Sequence, residues 1–223
     1  MTTERISELF ELLTEATGET IYMTFWSTLI AYIFGILMGI VLIVTNKDGV
    51  HPNKYVNTIL GAIVNFGRSV PFIILLIAVV PLTRFLVGTS LGTKATVVPL
   101  VVAASPYIAR LVESSLKEVD YGVIEAAQSM GATTWQIVWR VLLPEARPSL
   151  IVGATIVVTT VISYSAMAGT VAGGGLGSLA ISLGYYRYQT DVTVFTIIIL
   201  VLMVQIVQTI GDALSKKFDK RIS

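Results

Sequence analysis

Apolar residues gather into five long runs along the chain, near residues 20–45, 58–82, 93–113, 149–171 and 190–214, with most charged residues between them. A helix needs roughly 20 mostly apolar residues to cross a hydrocarbon core about 30 Å thick, and each run meets that length. Lipid offers the backbone no hydrogen-bond partners, so such runs predict helices, whose polar groups are satisfied within the segment. The expected fold is an all-α integral membrane protein with five transmembrane helices. Its transmembrane domain covers 20–214, after an external segment 1–19 and before a cytoplasmic tail 215–223.

Five crossings place the termini on opposite sides, and the positive charge is uneven between those sides. Lys47, Lys54, Lys117, Arg140, Arg147, Lys216, Lys217, Lys220 and Arg221 fall on one; Arg5, Arg84, Lys94 and Arg187 fall on the other. The positive-inside rule then puts the N-terminus outside and the C-terminus in the cytoplasm. Segments 46–57, 114–148 and 215–223 are expected in the cytoplasm, and 1–19 and 172–189 outside. Glu4, Glu8, Glu11, Glu15 and Glu19 oppose a single Arg5, unlike the positive start of a secretory signal, so the first run is expected to remain in the mature protein.

Composition agrees with lipid as the main solvent: 54% of the 223 residues are hydrophobic and 13% charged, against about 25% charged in soluble domains. A net charge of +1 lacks the basic footprint that nucleic-acid phosphates require, which excludes nucleic acid as a partner. The absence of cysteine removes disulfides, iron–sulfur clusters and thiolate zinc sites. The single His51 cannot build a metal site alone, and no nucleophile, base and orienting group stand together as in an enzyme.

Small residues and prolines mark special places in the runs. Gly35 and Gly39 lie one turn apart, a spacing that permits helix dimerisation and also occurs as simply tolerated glycine. Pro71, Pro99 and Pro106 are expected to kink the second and third spans, since each removes a helical hydrogen bond.

The loop between the third and fourth spans has its own local logic over 121–144. Residues 125–144 read EAAQSMGATTWQIVWRVLLP. Glu125 to Met130 is helix-forming and Gly131 interrupts it. Thr133 and Gln136 have capping-box spacing, opening a second helix whose Trp135, Val138 and Leu142 share a face and which is expected to end at Pro144. A glycine bend flanked by Ala126, Ala127 and an apolar face is suited to close approach by another protein. A membrane-surface helix would want more cations on its polar face than Arg140 and Arg147.

This loop resembles the coupling motif of bacterial ABC importer permeases of type I: Glu-Ala-Ala, three residues, Gly, nine residues, Ile-x-Leu-Pro. Every spacing matches, with Val141 in place of Ile. Further stretches, AIVNFGRSVPFIILL at 62–76, TRFLVGTS at 83–90 and SYSAMAGTVAGGGLG at 163–177, are similar to the methionine-importing permeases. The resemblance implies that Glu125, Ala126, Ala127, Gly131, Leu143 and Pro144 seat in a cleft of a separate ATPase. It implies a homodimer with a second copy of this permease, two ATP-binding subunits that hold ATP and Mg, and an external solute-binding lipoprotein. The small-molecule substrate would be an amino acid, methionine in L and D forms, and the location the bacterial cytoplasmic (inner) membrane, in contact with its lipid. No cofactor is expected in this chain; GTSLGTKA at 88–95 has the wrong spacing for a phosphate loop, and no strand precedes GGGLG at 173–177.

Residues within the spans are candidates for the translocation pathway or its gate. Arg68, followed by Ser69 and Pro71, sits about ten residues into the second span, about 15 Å along it. A charge there marks a transport path or bonds to carbonyls freed by a proline. Near the outer end of the fourth span, Ser163, Tyr164, Ser165 and Met167 offer hydroxyls beside a flexible thioether, as a gate for an apolar amino acid or as ordinary interhelix contacts. The alternative functions are an importer permease for another small amino acid or related solute, or a channel or secondary transporter working without an ATPase. The second is disfavoured because Glu113, Asp191 and Asp212 lie near span ends rather than at mid-membrane.

Overall fold

The computed structural model describes residues 3–218; Lys220 and Arg221 of the expected cytoplasmic tail lie outside the described residues. All regular structure among the described residues is helical. The order is α1 (Thr3–Thr45), α2 (Lys54–Ser69), α3 (Phe72–Ala78), α4 (Val80–Val87), α5 (Thr93–Lys117), α6 (Tyr121–Ser129), α7 (Thr134–Ile137), a widened π turn (Val138–Leu142), α8 (Leu143–Glu145) and α9 (Arg147–Ala168). A 3₁₀ turn (Gly169–Val171), α10 (Gly175–Leu179), a second π turn (Ala180–Tyr185) and α11 (Thr190–Phe218) complete it.

Among the described residues four segments are long and apolar enough to cross a membrane: Arg5–Thr45, Thr93–Lys117, Arg147–Tyr185 and Thr190–Phe218. The second expected span is not one helix. α2 and α3 are bent by 106° at Val70 and Pro71, where the proline has no N–H to continue α2 and adopts ψ 135°. Ile74 and Leu75 then donate to the Pro71 carbonyl, each at 3.0 Å, and start α3. Counted as one broken span, the pair makes a fifth crossing. The helix containing the first run begins at Thr3, so residues 3–19 are helical. Pro99 and Pro106 do not interrupt α5; the Pro106 ring instead packs on Gly67, where an added Cβ would lie 2.7 Å from its Cγ.

The residues form two compact units, and α1, α5, α9 and α11 supply residues to both. The first comprises Met1–Ile30, Val70–Ala103 and Val158–Val207. In it Leu9, Leu13 and Ala16 bury against Leu176, Leu179 and Val192. A second cluster joins Met23, Phe72, Leu76, Leu100 and Ala168, with Tyr164 packed on it.

The second unit comprises Ala31–Ser69, Ala104–Val157 and Gln208–Ser223. Its core holds Leu42, Val64 and Ala109. Gly35 and Gly39 find their partner inside the chain. A Cβ at Gly35 would meet Ile108 at 2.5 Å, and one at Gly39 would meet Val112 at 2.7 Å and the Ala109 carbonyl at 2.8 Å. The paired glycines therefore serve the α1–α5 contact, rather than a dimer or mere tolerance.

Candidate functional site

The 121–144 loop is built from side chains that close each local backbone end. Asp120 caps α6 by accepting the Gly122 N–H at 2.6 Å. At the other end Met130 is the C-cap, Gly131 donates to Gln128 at 2.9 Å and Ala132 to Ala127 at 3.1 Å. That double bond pattern is a Schellman motif, and it requires the left-handed φ of +76° that Gly131 supplies. The glycine's place in the coupling pattern thus has a backbone cause. Thr133 and Gln136 form the expected capping box: Gln136 N–H donates to Thr133 Oγ1 at 3.3 Å, and Thr133 N–H to Gln136 Oε1 at 2.8 Å.

Beyond α7 the chain departs from expectation. It does not end at Pro144: it widens into the π turn, with the Leu143 N–H reaching back to the Val138 carbonyl, and Pro144 sits inside α8. A proline ring clashes with the carbonyl four residues back in a regular helix, and the wider turn relieves that crowding. The apolar face also differs. Ile137, Val138 and Leu142 are buried, whereas Trp135 is 66% exposed and stands with exposed Trp139, ring centroids 5.4 Å apart. α6 packs against the π turn, Ala127 is buried, Leu143 and Pro144 are half-buried, and Glu125, Ala126 and Gly131 are exposed. The outer surface therefore offers a carboxylate, a small side chain, a bare backbone bend and two indoles.

The pathway candidates separate between the units. Arg68 and Ser69 belong to the second, in the last turn of α2 beside the bend rather than at the middle of a straight helix. Arg68 is exposed; Ser69 Oγ donates to the Asn65 carbonyl at 2.7 Å. Pro71, Ser163, Tyr164, Ser165 and Met167 belong to the first. Ser163 Oγ donates to the Thr159 carbonyl and Ser165 Oγ to that of Ile162, so both hydroxyls bond within their own helix. Tyr164 stacks on Phe72, and Met167 is 41% exposed.

Two polar constellations were not among the sequence candidates. In the second unit Glu113, 3% exposed, accepts Arg110 Nη1 at 2.5 Å and Lys117 Nζ at 2.6 Å, while Arg110 Nη2 donates to Asn65 Oδ1 at 2.5 Å. The i, i+3 and i+4 spacing of these charges was visible in the sequence as one helical face. In the first unit Glu19 and Thr20 of α1 bond to the glycine loop before α10, and nothing local in the sequence signals it. Among the described residues no three His, Cys, Asp or Glu side chains converge as a metal site.

Residues 31–223 match the family of binding-protein-dependent transport system inner membrane components. The probable D-methionine transport system permease protein MetI of Vibrio cholerae is 49% identical over 211 residues, covering 95% of this chain and 94% of that protein. The methionine import system permease protein MetP of Bacillus subtilis is 46% identical over 206 residues, covering 92% and 93%. A chain of the inward-facing MetNI methionine ABC transporter superposes with a TM-score of 0.94 at 42% identity, covering 99% of this chain and all of that one. The chain belongs to the binding-protein-dependent transport system inner membrane component family.

Proposed function

We propose that this chain is the permease subunit of an ATP-driven methionine importer, accepting both enantiomers. It would work as a homodimer with two ATP-binding subunits, which bind ATP and Mg, and with an external binding protein. The observation that carries the reading is the 121–144 segment: a Schellman glycine and a capping box hold two short helices whose exposed side presents Glu125, Ala126, Gly131, Trp135 and Trp139. Exposed indoles around a backbone bend suit a protein partner, because aromatic side chains dominate interface energetics. Its docking by Glu125, Ala126, Ala127, Gly131, Leu143 and Pro144 belongs to this proposal, as does the pathway role of Arg68, Ser69, Pro71, Ser163, Tyr164, Ser165 and Met167. So do the five crossings, with the bent pair α2–α3 as the second, and the orientation with the N-terminus outside.

Methionine as substrate is supported by relatives nearly half identical over almost the whole chain, which are named as methionine transport permeases. The test is uptake of labelled L- and D-methionine by proteoliposomes holding the permease, its ATPase and its binding protein. ATP-dependent accumulation of both is expected. Equal flux without ATP would assign the chain to the channels or secondary transporters instead.

A further inference from the structure

α10 begins in a run of glycines that cannot cap it: its N-cap is Gly174, with no side-chain bond to the exposed N–H groups. Those groups need acceptors wherever water is scarce. α1 supplies them. Glu19 Oε2 accepts the Gly175 N–H at 2.5 Å, and Thr20 Oγ1 accepts the Leu176 N–H at 2.9 Å. The other Glu19 oxygen accepts Thr93 Oγ1, at the start of α5, at 2.9 Å. The same loop is tied to α5 twice more, by Thr96 Oγ1 to the Gly173 carbonyl at 2.9 Å and by the Gly92 N–H to the Ala172 carbonyl at 3.0 Å.

The glycines are matched to this clasp. Gly174 and Gly175 hold φ of +85° and +73°. A Cβ on Gly174 would lie 2.8 Å from Thr93 Oγ1, and one on Gly175 would lie 2.6 Å from Thr20 Oγ1 and 2.7 Å from Met23 Cε. Met23 stands one turn below Glu19 on α1 and is fully buried with Phe72, Leu76 and Ala168, against which Tyr164 packs. The clasp and the candidate gate residue Tyr164 thus share one packed region of the first unit.

We propose that Glu19 and Thr20 are positioning residues: they cap α10 from another helix and so fix the loop after α9, which keeps the Tyr164–Met167 segment packed. This assignment rests on the permease reading only for its transport consequence. The clasp itself is tested without any substrate.

The chain has no native cysteine, so Ser165→Cys, at a position 1% exposed, reports on one buried site, labelled by a water-soluble maleimide in the detergent-solubilised permease. Loss of a charged hydrogen-bond acceptor should raise its labelling rate about tenfold in Glu19→Ala, because such bonds are the stronger class. Glu19→Gln, which keeps a carbonyl oxygen for the Gly175 N–H, should return within about twofold of the parent. A control cysteine at Lys217 should label at an unchanged rate. The proposal is overturned if Glu19→Ala labels like the parent, if Gln behaves like Ala, or if Lys217→Cys accelerates equally. Should Glu19→Ala not accumulate, Thr20→Val and Thr20→Ser decide: faster labelling in Val with the parent rate in Ser supports the clasp, and equal rates overturn it. In the complex with its ATPase and binding protein, Glu19→Ala should also lower the ratio of solute-stimulated to basal ATP hydrolysis. A parent complex that takes up no methionine would refute the substrate reading and leave the labelling result standing.

Discussion

Phe72 and Tyr164 stack with ring planes 1° from parallel and centroids 4.5 Å apart. Phe72 is the first residue after the Pro71 break, and Tyr164 lies four residues before the end of α9. Parallel rings are favourable when offset and add to the burial of Phe72, which is 5% exposed. The stack packs the first residue of α3 against α9.

Replacing Phe72 by Ala should therefore cost about 3–5 kcal/mol, the usual range for deleting a buried phenylalanine. Tyr164→Phe preserves the ring face and should leave stability within about 0.5 kcal/mol. Thermal unfolding of the purified permease in detergent reads both, and a Phe72→Ala protein as stable as the parent would show that the stack contributes little.

The Glu113 cluster should respond unequally to its members. Glu113→Gln leaves two cations, but the Arg110 and Lys117 side chains are 31% and 45% exposed and can turn to water. The cost should be about 1–3 kcal/mol, below that of a fully buried pair. Lys117→Met keeps Arg110 on the carboxylate and should cost less than Glu113→Gln, as denaturant titration can check.

At Gly131 the two routes to damage now separate. A Cβ there meets nothing within 4 Å in this chain, while φ is +76°. Asn tolerates that conformation, so Gly131→Asn should assemble with the ATPase nearly as the parent does, whereas Gly131→Ala carries a strain of about 1 kcal/mol. Gly131→Leu adds bulk on a surface assigned to docking and should lose co-purification with the ATPase. Full assembly and uptake by the Leu variant would remove the coupling assignment.

Thr133→Ala removes half of the capping box and should cost about 0.5–2 kcal/mol locally. Hydrogen exchange confined to 133–138 is the direct measure. Unchanged protection there would mean that the buried Ile137 and Val138, rather than the cap, hold α7.

What could be read in the sequence follows from how local each signal is. Run length announced the apolar helices, and Thr133, Gln136 and Gly131 announced the two short helices of the 121–144 loop, because caps and glycine bends act within four residues. The same locality explains the errors. Trp135 shares helical spacing with Val138 and Leu142, yet the π turn changes the residues per turn after Ile137 and leaves it outside. Pro71 announced a disturbance but not a bend of 106°. Pro106 leaves α5 unbroken, and its ring faces Gly67, a contact 39 positions away that no local spacing signals. The Glu19 clasp was invisible, since its hydrogen bond to Gly175 joins residues 156 positions apart.

That separation also orders events during synthesis. At about 5–20 residues per second, the ribosome needs roughly 8–30 s to travel from Glu19 to Gly175. α1 must wait through that interval with Glu19 Oε2 unmatched, while a short glycine-led helix such as α10 has little stability of its own before its acceptor is present. The first helix made is thus the template for one of the last turns. Nascent chains halted before Gly175 should lack this closure, however well their long apolar helices have entered the bilayer.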